Sequence, residues 1–574
     1  MTTSIIDAES LLAIDIGTTT TRASLFDVVE GQYRYMGSGK AASTVDAPHR
    51  DVSEGLFLAV RELEAVSGRK IIDRDAQLIL PSTEDGWGVD RLVLTHSAGP
   101  DLKIVAAGLL EEVSLGSAQE LAATISGEIS ESFGLNDRRR IETQIDTILR
   151  VKPDLVILTG GTENGANRSV FKLVEMITMV CRIQPKDRRP DVIYAGNRVL
   201  AKKIKEILSK WTNVYLAPNV RPSIEHENLA PVKTILAKAV FSIRAGQLGG
   251  LKDISSICST QPIPTSHGLG RMIQFLSKAY GSNRGVLGVD LGSRSSTTAA
   301  ALNGKLNLNV LPNGMGKNIQ SVLENDGIST IMKWLPVDIS ENEVRDYILQ
   351  KSLYPGIIPN NYEALSIERA VVKTFLSLSL QELQNRFPDQ VMSFEPYIVS
   401  GSALTETPSP GQSLLMMLDG LQPVGVTTMV LDQKGLLAGL GAAASINSLI
   451  PVQVLESGVF LNLGTVICPS SKARLGAPIL RAKLEFEDGR ESRYEIKKGT
   501  LVTLPVQSGQ TAKIHLETLR RTVIDPYSHR RSGSFKIVGG VCGVVIDARG
   551  RPISLPSDDE KRRKLIKKWE ISLT

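Results

Sequence analysis

Asp15 ends the apolar run Leu11, Leu12, Ala13, Ile14, and Gly17 with Thr18, Thr19 and Thr20 follows at once, before a second apolar run that contains Arg22. Two short strands joined by a tight turn explain that spacing. A carboxylate at the end of the first strand can hold a divalent metal through water, while the turn offers backbone N–H groups and hydroxyls to a polyphosphate. Gly17 permits the close backbone approach such a grip needs. An ordinary hairpin gives the same pattern, so one copy does not separate the two readings. The chain holds a second copy within residues 285–302, where Asp290 ends a strand, Gly292, Ser293 and Arg294 open a hydroxyl-rich turn, and another strand follows. Two such hairpins predict two lobes facing one phosphate-bearing ligand, with Arg22 or Arg294 offsetting its charge.

Holding two hairpins in place takes more than one core. At 574 residues, and with about 100–200 residues in a usual domain, the chain should fold as about three units. Its 42% hydrophobic and 22% charged residues are ordinary for a globular protein. The net charge of +5 is mild for this length and decides nothing about nucleic acid; with no other sign of such a partner, none is expected. Cys181, Cys258, Cys468 and Cys542 stand singly, which fits a reducing compartment and gives no metal spacing. The histidines are equally dispersed, so no zinc site is expected. Residues 1–10 lack the basic start and apolar core of a signal peptide, which predicts a cytoplasmic protein. The most apolar long stretch, 436–455, is broken by Ser445, Asn447, Ser448, Pro451 and Gln453, and reads as a buried helix running into a strand rather than a membrane span.

Between the hairpins the pattern alternates. A helix is predicted over 55–66, a buried strand over 90–95 with His96 beside its small-residue turn, and helices over 117–132 and 137–150. His96 alone, with no visible partner, reads as structural. A buried strand then opens on Gly160 and Gly161 and runs into a helix at 169–179, and a further strand and helix follow over 191–208. Free N–H groups at such a helix start can face a nucleotide; a tight turn is the plain alternative. Residues 228–283 read as a helical bridge. In the second half, Gly314, Gly316 and Lys317 precede a helix over 319–325, helices fill 341–385, and a strand turns at Ser400, Gly401 and Ser402 into a helix at 412–421. The small residues Gly439, Gly441 and Ala442 suit close helix packing. Beyond 454 the chain reads as short strands, with Asp488 and Gly489 in a type I′ hairpin, and then a basic helix with Lys561, Arg562, Arg563 and Lys564 behind a capping box from Ser557 to Glu560.

In this order the motifs resemble those of the sugar kinase, heat-shock chaperone and actin superfamily of ATPases. The resemblance puts 15–22 at the first phosphate motif, 290–298 at the second, 399–404 at the adenosine motif and 439–444 at a connecting helix. Leu158, Thr159, Gly160, Gly161, Thr162, Glu163 and Asn164, with Ala195, Gly196 and Asn197, look more narrowly like the glutamate mutase accessory protein family, also called MutL and unrelated to the mismatch-repair protein of that name. The resemblance implies an α/β chain of two duplicated actin-like, ribonuclease H-like lobes with an ATP cleft between them and a C-terminal β-rich domain. The limits would be 1–245 for the first lobe, 246–284 for a bridge, 285–450 for the second lobe and 451–574 for the β-domain. Ser293 and Ser400 stand where many superfamily members have glycine, so the glycine turn facing adenine, at Gly160 or at Gly401, stays open.

The implied activity is that of a slow Mg-ATPase. Asp15 and Asp290 would place Mg²⁺ and its waters, and Gly17, Thr18, Thr19 and Thr20 would hold the phosphates. The narrow resemblance implies a chaperone-like accessory or reactivating role toward an adenosylcobalamin-dependent mutase, with a protein client and no membrane. A small-molecule kinase and a nucleotide-binding assembly scaffold are the alternatives.

Overall fold

The computed structural model describes residues 9–280, 284–324, 327–388, 393–526 and 532–573. The start of the stretch read as leaderless, the end of the predicted bridge and the end of the helix predicted over 319–325 lie outside these residues. The chain divides into two compact units, Met1–Gly268 with Ala438–Pro451, and Leu269–Leu437 with Val452–Thr574. This division differs from the expected limits because the chain returns to the first unit late in its course. Among the described residues no helix is long and apolar enough to cross a membrane.

The first unit runs through β1 (Leu11–Ile16), β2 (Thr20–Val29), β3 (Gln32–Ala42), α1 (Ser53–Ser67), β4 (Arg91–His96), β5 (Lys103–Ala107), α2 (Gly116–Ala122), β6 (Glu128–Phe133), α3 (Ile141–Val151) and β7 (Leu155–Leu158). It continues with α4 (Asn167–Ile183), β8 (Asp191–Tyr194), α5 (Ala201–Leu208), β9 (Val214–Leu216), α6 (Ala230–Gln247), α7 (Leu251–Ser256), β10 (Ile263–Pro264) and the start of α8 (Thr265–Ala279). The hairpin sheet has the order β10-β4-β1-β2-β3, in which β1, β2 and β3 are antiparallel and β4 and β10 join in parallel. Leu12, Ile14, Leu25, Leu92 and Leu94 bury one face of it against Leu56, Val60 and Leu63 of α1. Gly39 lets that helix come close, since a Cβ there would lie 2.0 Å from Ala59 O.

Between β4 and β10 the chain builds a second sheet that the sequence does not announce as separate. Its order is β6-β5-β7-β8-β9 and all its pairings are parallel. Strands such as Leu155–Leu158 are apolar throughout because both faces are covered. Ile104, Ile157 and Ile193 pack toward α2 and α6, while Val105, Val156 and Tyr194 pack toward α4 and α5. Two sequence expectations change here. The helix predicted over 117–132 ends at Ala122 and its second half is β6, and the predicted bridge contributes α6 to this parallel domain and β10 to the hairpin sheet.

The second unit contains the rest of α8, β11 (Gly285–Leu291), β12 (Ser296–Leu302), β13 (Lys305–Leu311), α9 (Gly327–Trp334), α10 (Glu341–Leu353), α11 (Tyr362–Arg386), β14 (Phe394–Ser400), α12 (Ser402–Thr405), α13 (Pro410–Leu421) and β15 (Gly425–Leu431). After α14 (Leu437–Ala443) and α15 (Leu449–Glu456) come β16 (Leu461–Cys468), β17 (Pro478–Phe486), β18 (Glu491–Lys497), β19 (Leu501–Leu504), β20 (Thr511–Thr518), β21 (Ser532–Val538), β22 (Val544–Asp547) and α16 (Asp559–Ile571). The large sheet begins β13-β12-β11-β14-β15, which repeats the order of the first hairpin sheet with the same parallel and antiparallel senses. Two sheets of the order third, second, first, fourth, fifth make the expected duplicated, ribonuclease H-like α/β fold.

The C-terminal part is β-rich as expected, but only β18-β17-β20-β21 forms a sheet of its own. β16, β22 and β19 extend the second hairpin sheet beyond β15. The 436–455 stretch forms two helices and no strand, and Gly441 serves a tight approach, since a Cβ there would meet Gly268 O at 1.9 Å. The turn at Asp488 and Gly489 is not type I′. Only Gly489 is left-handed (φ +84°) and its N–H donates to Phe486 O, which gives a type I turn followed by a left-handed residue. The basic C-terminal helix is capped by Asp558, whose carboxylate accepts from Lys561 N at 2.8 Å, and it buries Ile566 and Trp569 rather than lying free in solvent.

Candidate functional site

Each hairpin is closed by the same bond. Gly17 N–H donates to Thr20 O at 3.1 Å and Gly292 N–H to Ser295 O at 3.0 Å, so glycine stands at the same position of each turn. In both copies the segment after the third strand grips the turn. Ser43 N–H donates to Thr19 O at 3.0 Å and Ser43 Oγ to Gly17 O at 2.7 Å, while Met315 N–H donates to Gly292 O at 2.9 Å and Gly316 N–H to Ser293 O at 2.8 Å. The Gly314–Lys317 segment is therefore spent on bracing the hairpin. Thr18 is buried, Thr19 half-buried and Thr20 exposed, while Gly292, Ser293 and Arg294 are all half-buried.

The arginines are not equivalent. Arg22 lies directly opposite Asp15 in the antiparallel ladder, so the two side chains leave the same face of the sheet. The corresponding partner of Asp290 is Thr297, and Arg294 sits within the turn. Each aspartate is half-buried at its strand end and is met by a hydroxyl from the fourth strand. Thr95 Oγ1 donates to Asp15 Oδ1 at 2.6 Å and Ser400 Oγ to Asp290 Oδ1 at 2.5 Å. Thr265 Oγ1 adds a second bond to Asp15 Oδ1 at 2.7 Å. Sequence reading missed Thr95 and Thr265 and saw in Ser400 only a missing glycine; the signal was a hydroxyl residue ending the strand that pairs in parallel with each aspartate strand.

His96 follows Thr95 and is buried, with its ring edge-on to Phe241 at 5.8 Å between centroids and Nε2 without a hydrogen-bond partner. Burial, with the Arg244 charge adding to it, holds the imidazole well below its usual range, at about 3. It is a neutral core histidine. The unfolded chain takes up a proton near pH 6.5 while the folded one does not, so this residue's stabilisation is full above 6.5 and is lost progressively as pH falls toward 3. Thermal unfolding of the wild type between pH 7 and 4 should show a drop that His96→Gln lacks in part.

Gly160 and Gly161 stand apart from the hairpins, at the end of β7 in the parallel sheet. The strand that corresponds to β14 in the first unit is β4, with Thr95 in the place of Ser400, so the turn at Gly160 is not the counterpart of the turn at Gly401. Both glycines are left-handed, and Gly160 packs so near Leu109 that a Cβ would meet its Cγ at 2.7 Å. Asn197 N–H donates to Gly160 O at 3.1 Å, which ties the Gly-Asn turn to the Gly-Gly turn, while Asn219 Nδ2 donates to Gly161 O at 2.9 Å and Asn197 Nδ2 to Gly165 O at 3.1 Å. Gly401 (φ +112°) turns the chain beside β11, where a Cβ would meet Leu291 O at 2.2 Å, and Ser402 is exposed at the start of α12.

Two carboxylate hairpins on two ribonuclease H-like sheets define the chain as one of the actin-like ATPase class of folds. More narrowly, the family model described as MutL protein matches residues 11–459, and the chain belongs to that family. No curated protein matches it in sequence. Among solved structures it is similar to acetone carboxylase in a nucleotide-free structure, at 11% identity over 86% of this chain and 81% of that one with a TM-score of 0.37. It is also similar to a diol dehydratase-reactivating factor, at 10% identity over 77% and 100% with a TM-score of 0.31. A third similar structure is component A of (R)-2-hydroxyglutaryl-CoA dehydratase from Acidaminococcus fermentans, at 9% identity over 76% and 97% with a TM-score of 0.27. Likenesses of this size carry no argument about activity.

Proposed function

We propose that this protein binds Mg-ATP through its two hairpins, hydrolyses it slowly, and uses the cycle to act in the cytoplasm on a protein client, an adenosylcobalamin-dependent mutase that it assembles or reactivates. The observation that supports the nucleotide half is the repeat of aspartate, glycine turn and fourth-strand hydroxyl in both units. Support for the client is membership of the MutL family and the resemblance of the 158–164 and 195–197 motifs to the glutamate mutase accessory proteins.

The donor chemistry fits magnesium. Asp15 accepts both hydroxyls on Oδ1, which reserves Oδ2 for a metal-bound water, and carboxylate with phosphate and water oxygens is a usual Mg²⁺ shell. Among the described residues no group of three or more His, Cys, Asp or Glu could hold a metal, so substrate and water oxygens would complete that shell. Bound Mg²⁺ would offset the charge of the transferring phosphoryl group. Asp15 and Asp290 orient its waters in this reading, Gly17, Thr18, Thr19 and Thr20 present backbone N–H groups and hydroxyls to the phosphates, and Arg22 and Arg294 offset negative charge. Gly401 and Ser402 take the adenosine side, because they follow the fourth strand of a hairpin sheet.

Calorimetric titration with ATP should show binding that requires Mg²⁺, because carboxylates beside a triphosphate repel it without a metal. Equal affinity in the presence of a chelator counts against the reading. Phosphate release should be slow and independent of any small acceptor; acceptor-dependent turnover would make the protein a kinase, and binding without release a scaffold. For the client, an inactivated mutase from the same cell is incubated with the protein, ATP and fresh adenosylcobalamin. Regained turnover that needs ATP supports the assignment, and no recovery with any such mutase removes it.

A further inference from the structure

We infer that Thr95 and Thr265 in the first unit are positioning residues that fix the Asp15 carboxylate by one oxygen so that the other faces the metal. The inference rests on the nucleotide reading above and gives the hydroxyls that bond Asp15 a separable role in it.

An unrestrained aspartate side chain at a strand end rotates about its last bond and exchanges its two oxygens. Thr95 Oγ1 and Thr265 Oγ1 approach Asp15 from two different elements, the end of β4 and the start of α8, and both bonds fall on Oδ1, at 2.6 and 2.7 Å. A carboxylate accepts only, so both hydroxyl protons are committed to it. Two donors on one oxygen fix the plane of the carboxylate. Thr95 is fully buried, which keeps water from its hydroxyl, and the other acceptor offered to it among the described residues is Ile14 O, at a long 3.5 Å. In the second unit the buried Ser400 Oγ meets Asp290 Oδ1 at 2.5 Å from the same strand position. The same bond, made by a threonine in one copy and a serine in the other, points to the hydroxyl as the shared group. A purely packing role would be served by a methyl.

The test removes hydroxyls and keeps shape. Thr95→Val, Thr265→Val and the pair are compared with Thr95→Ser and Thr265→Ser in ATP calorimetry with magnesium and with chelator, in phosphate release against magnesium concentration, and in thermal unfolding. The paired valine variant should lose on the order of tenfold or more in the magnesium-dependent part of ATP affinity, with half-maximal activation shifted to higher magnesium, and the serine variants should recover it. Metal-free affinity and the unfolding midpoint of the serine and single valine variants should move little. Valine variants that unfold at the wild-type temperature and keep wild-type magnesium dependence overturn the inference while leaving the nucleotide reading intact. A wild type that binds no ATP overturns both. If the paired variant does not fold, the single variants decide, since each removes one of two bonds.

Discussion

Asp15→Asn and Asp290→Asn are each expected to lower ATP hydrolysis by on the order of 100-fold or more, with unfolding midpoints close to the wild type. Asparagine keeps the size of the side chain and one acceptor oxygen, so Thr95 and Thr265 can still donate to residue 15, and Ser400 to residue 290. What it removes is the negative charge that orients a metal and its water. Alanine is the harsher change. It leaves the buried Thr95 hydroxyl without its acceptor, at a cost of about 1–3 kcal/mol, so a loss of activity in Asp15→Ala would be part structural. The measurement that separates the two is phosphate release by the asparagine variants beside their thermal unfolding. Hydrolysis at the wild-type rate in both would make the duplicated carboxylates structural and remove the main support for the ATPase reading.

Much of this arrangement is legible in the sequence because it is local. A strand of four or five apolar residues, an aspartate and a Gly turn are set by neighbours in the chain, and the parallel strands announce themselves by the apolar runs 155–158 and 192–194. The parts that stay hidden depend on contacts between distant segments. Thr265 lies 250 positions from Asp15, and nothing around it marks it as a partner until β10 is seen to join the first sheet. The strand β6, with the sequence Glu128, Ile129, Ser130, Glu131, Ser132 and Phe133, carries too few apolar residues to read as part of a buried parallel sheet, because it is the edge strand. The Gly160 turn was legible as a motif but not as to its place. Alternation of strand and helix continues through the insert without a break, so the insert reads as part of the lobe that contains it. The short strand β10, only Ile263 and Pro264, gives no periodicity at all.

The largest effect on stability is expected in the second unit, where Asp547→Ala should destabilise the fold by about 3–5 kcal/mol. Asp547 is fully buried at the end of β22 and accepts from Arg549 Nε at 2.9 Å, Arg549 Nη2 at 2.8 Å and Arg551 Nη2 at 2.7 Å. Arg549 also donates to Asp419 Oδ1 on α13 at 2.6 Å, Lys373 of α11 pairs with Asp419 Oδ2 at 2.9 Å, and the Arg549 guanidinium lies 4.7 Å from the Trp569 ring of α16. The network thus ties the late strand β22 and the C-terminal helix to two central helices, with three cations on two carboxylates. Alanine at 547 would leave two guanidinium groups buried with a single carboxylate between them and Lys373, and that uncompensated charge outweighs the lost contacts. Burial raises the Asp547 carboxyl, but Arg549 and Arg551 overcome this and hold it below the usual carboxylate range. A depressed carboxyl contributes its stability fully above the unfolded value of about 4 and loses it as pH falls below that. Urea unfolding at pH 7 should therefore show the full deficit in Asp547→Ala, and between pH 4 and 2.5 the gap between variant and wild type should narrow. A deficit under about 1 kcal/mol at pH 7, or a gap that does not change with acid, would mean that the paired charges contribute no net stability.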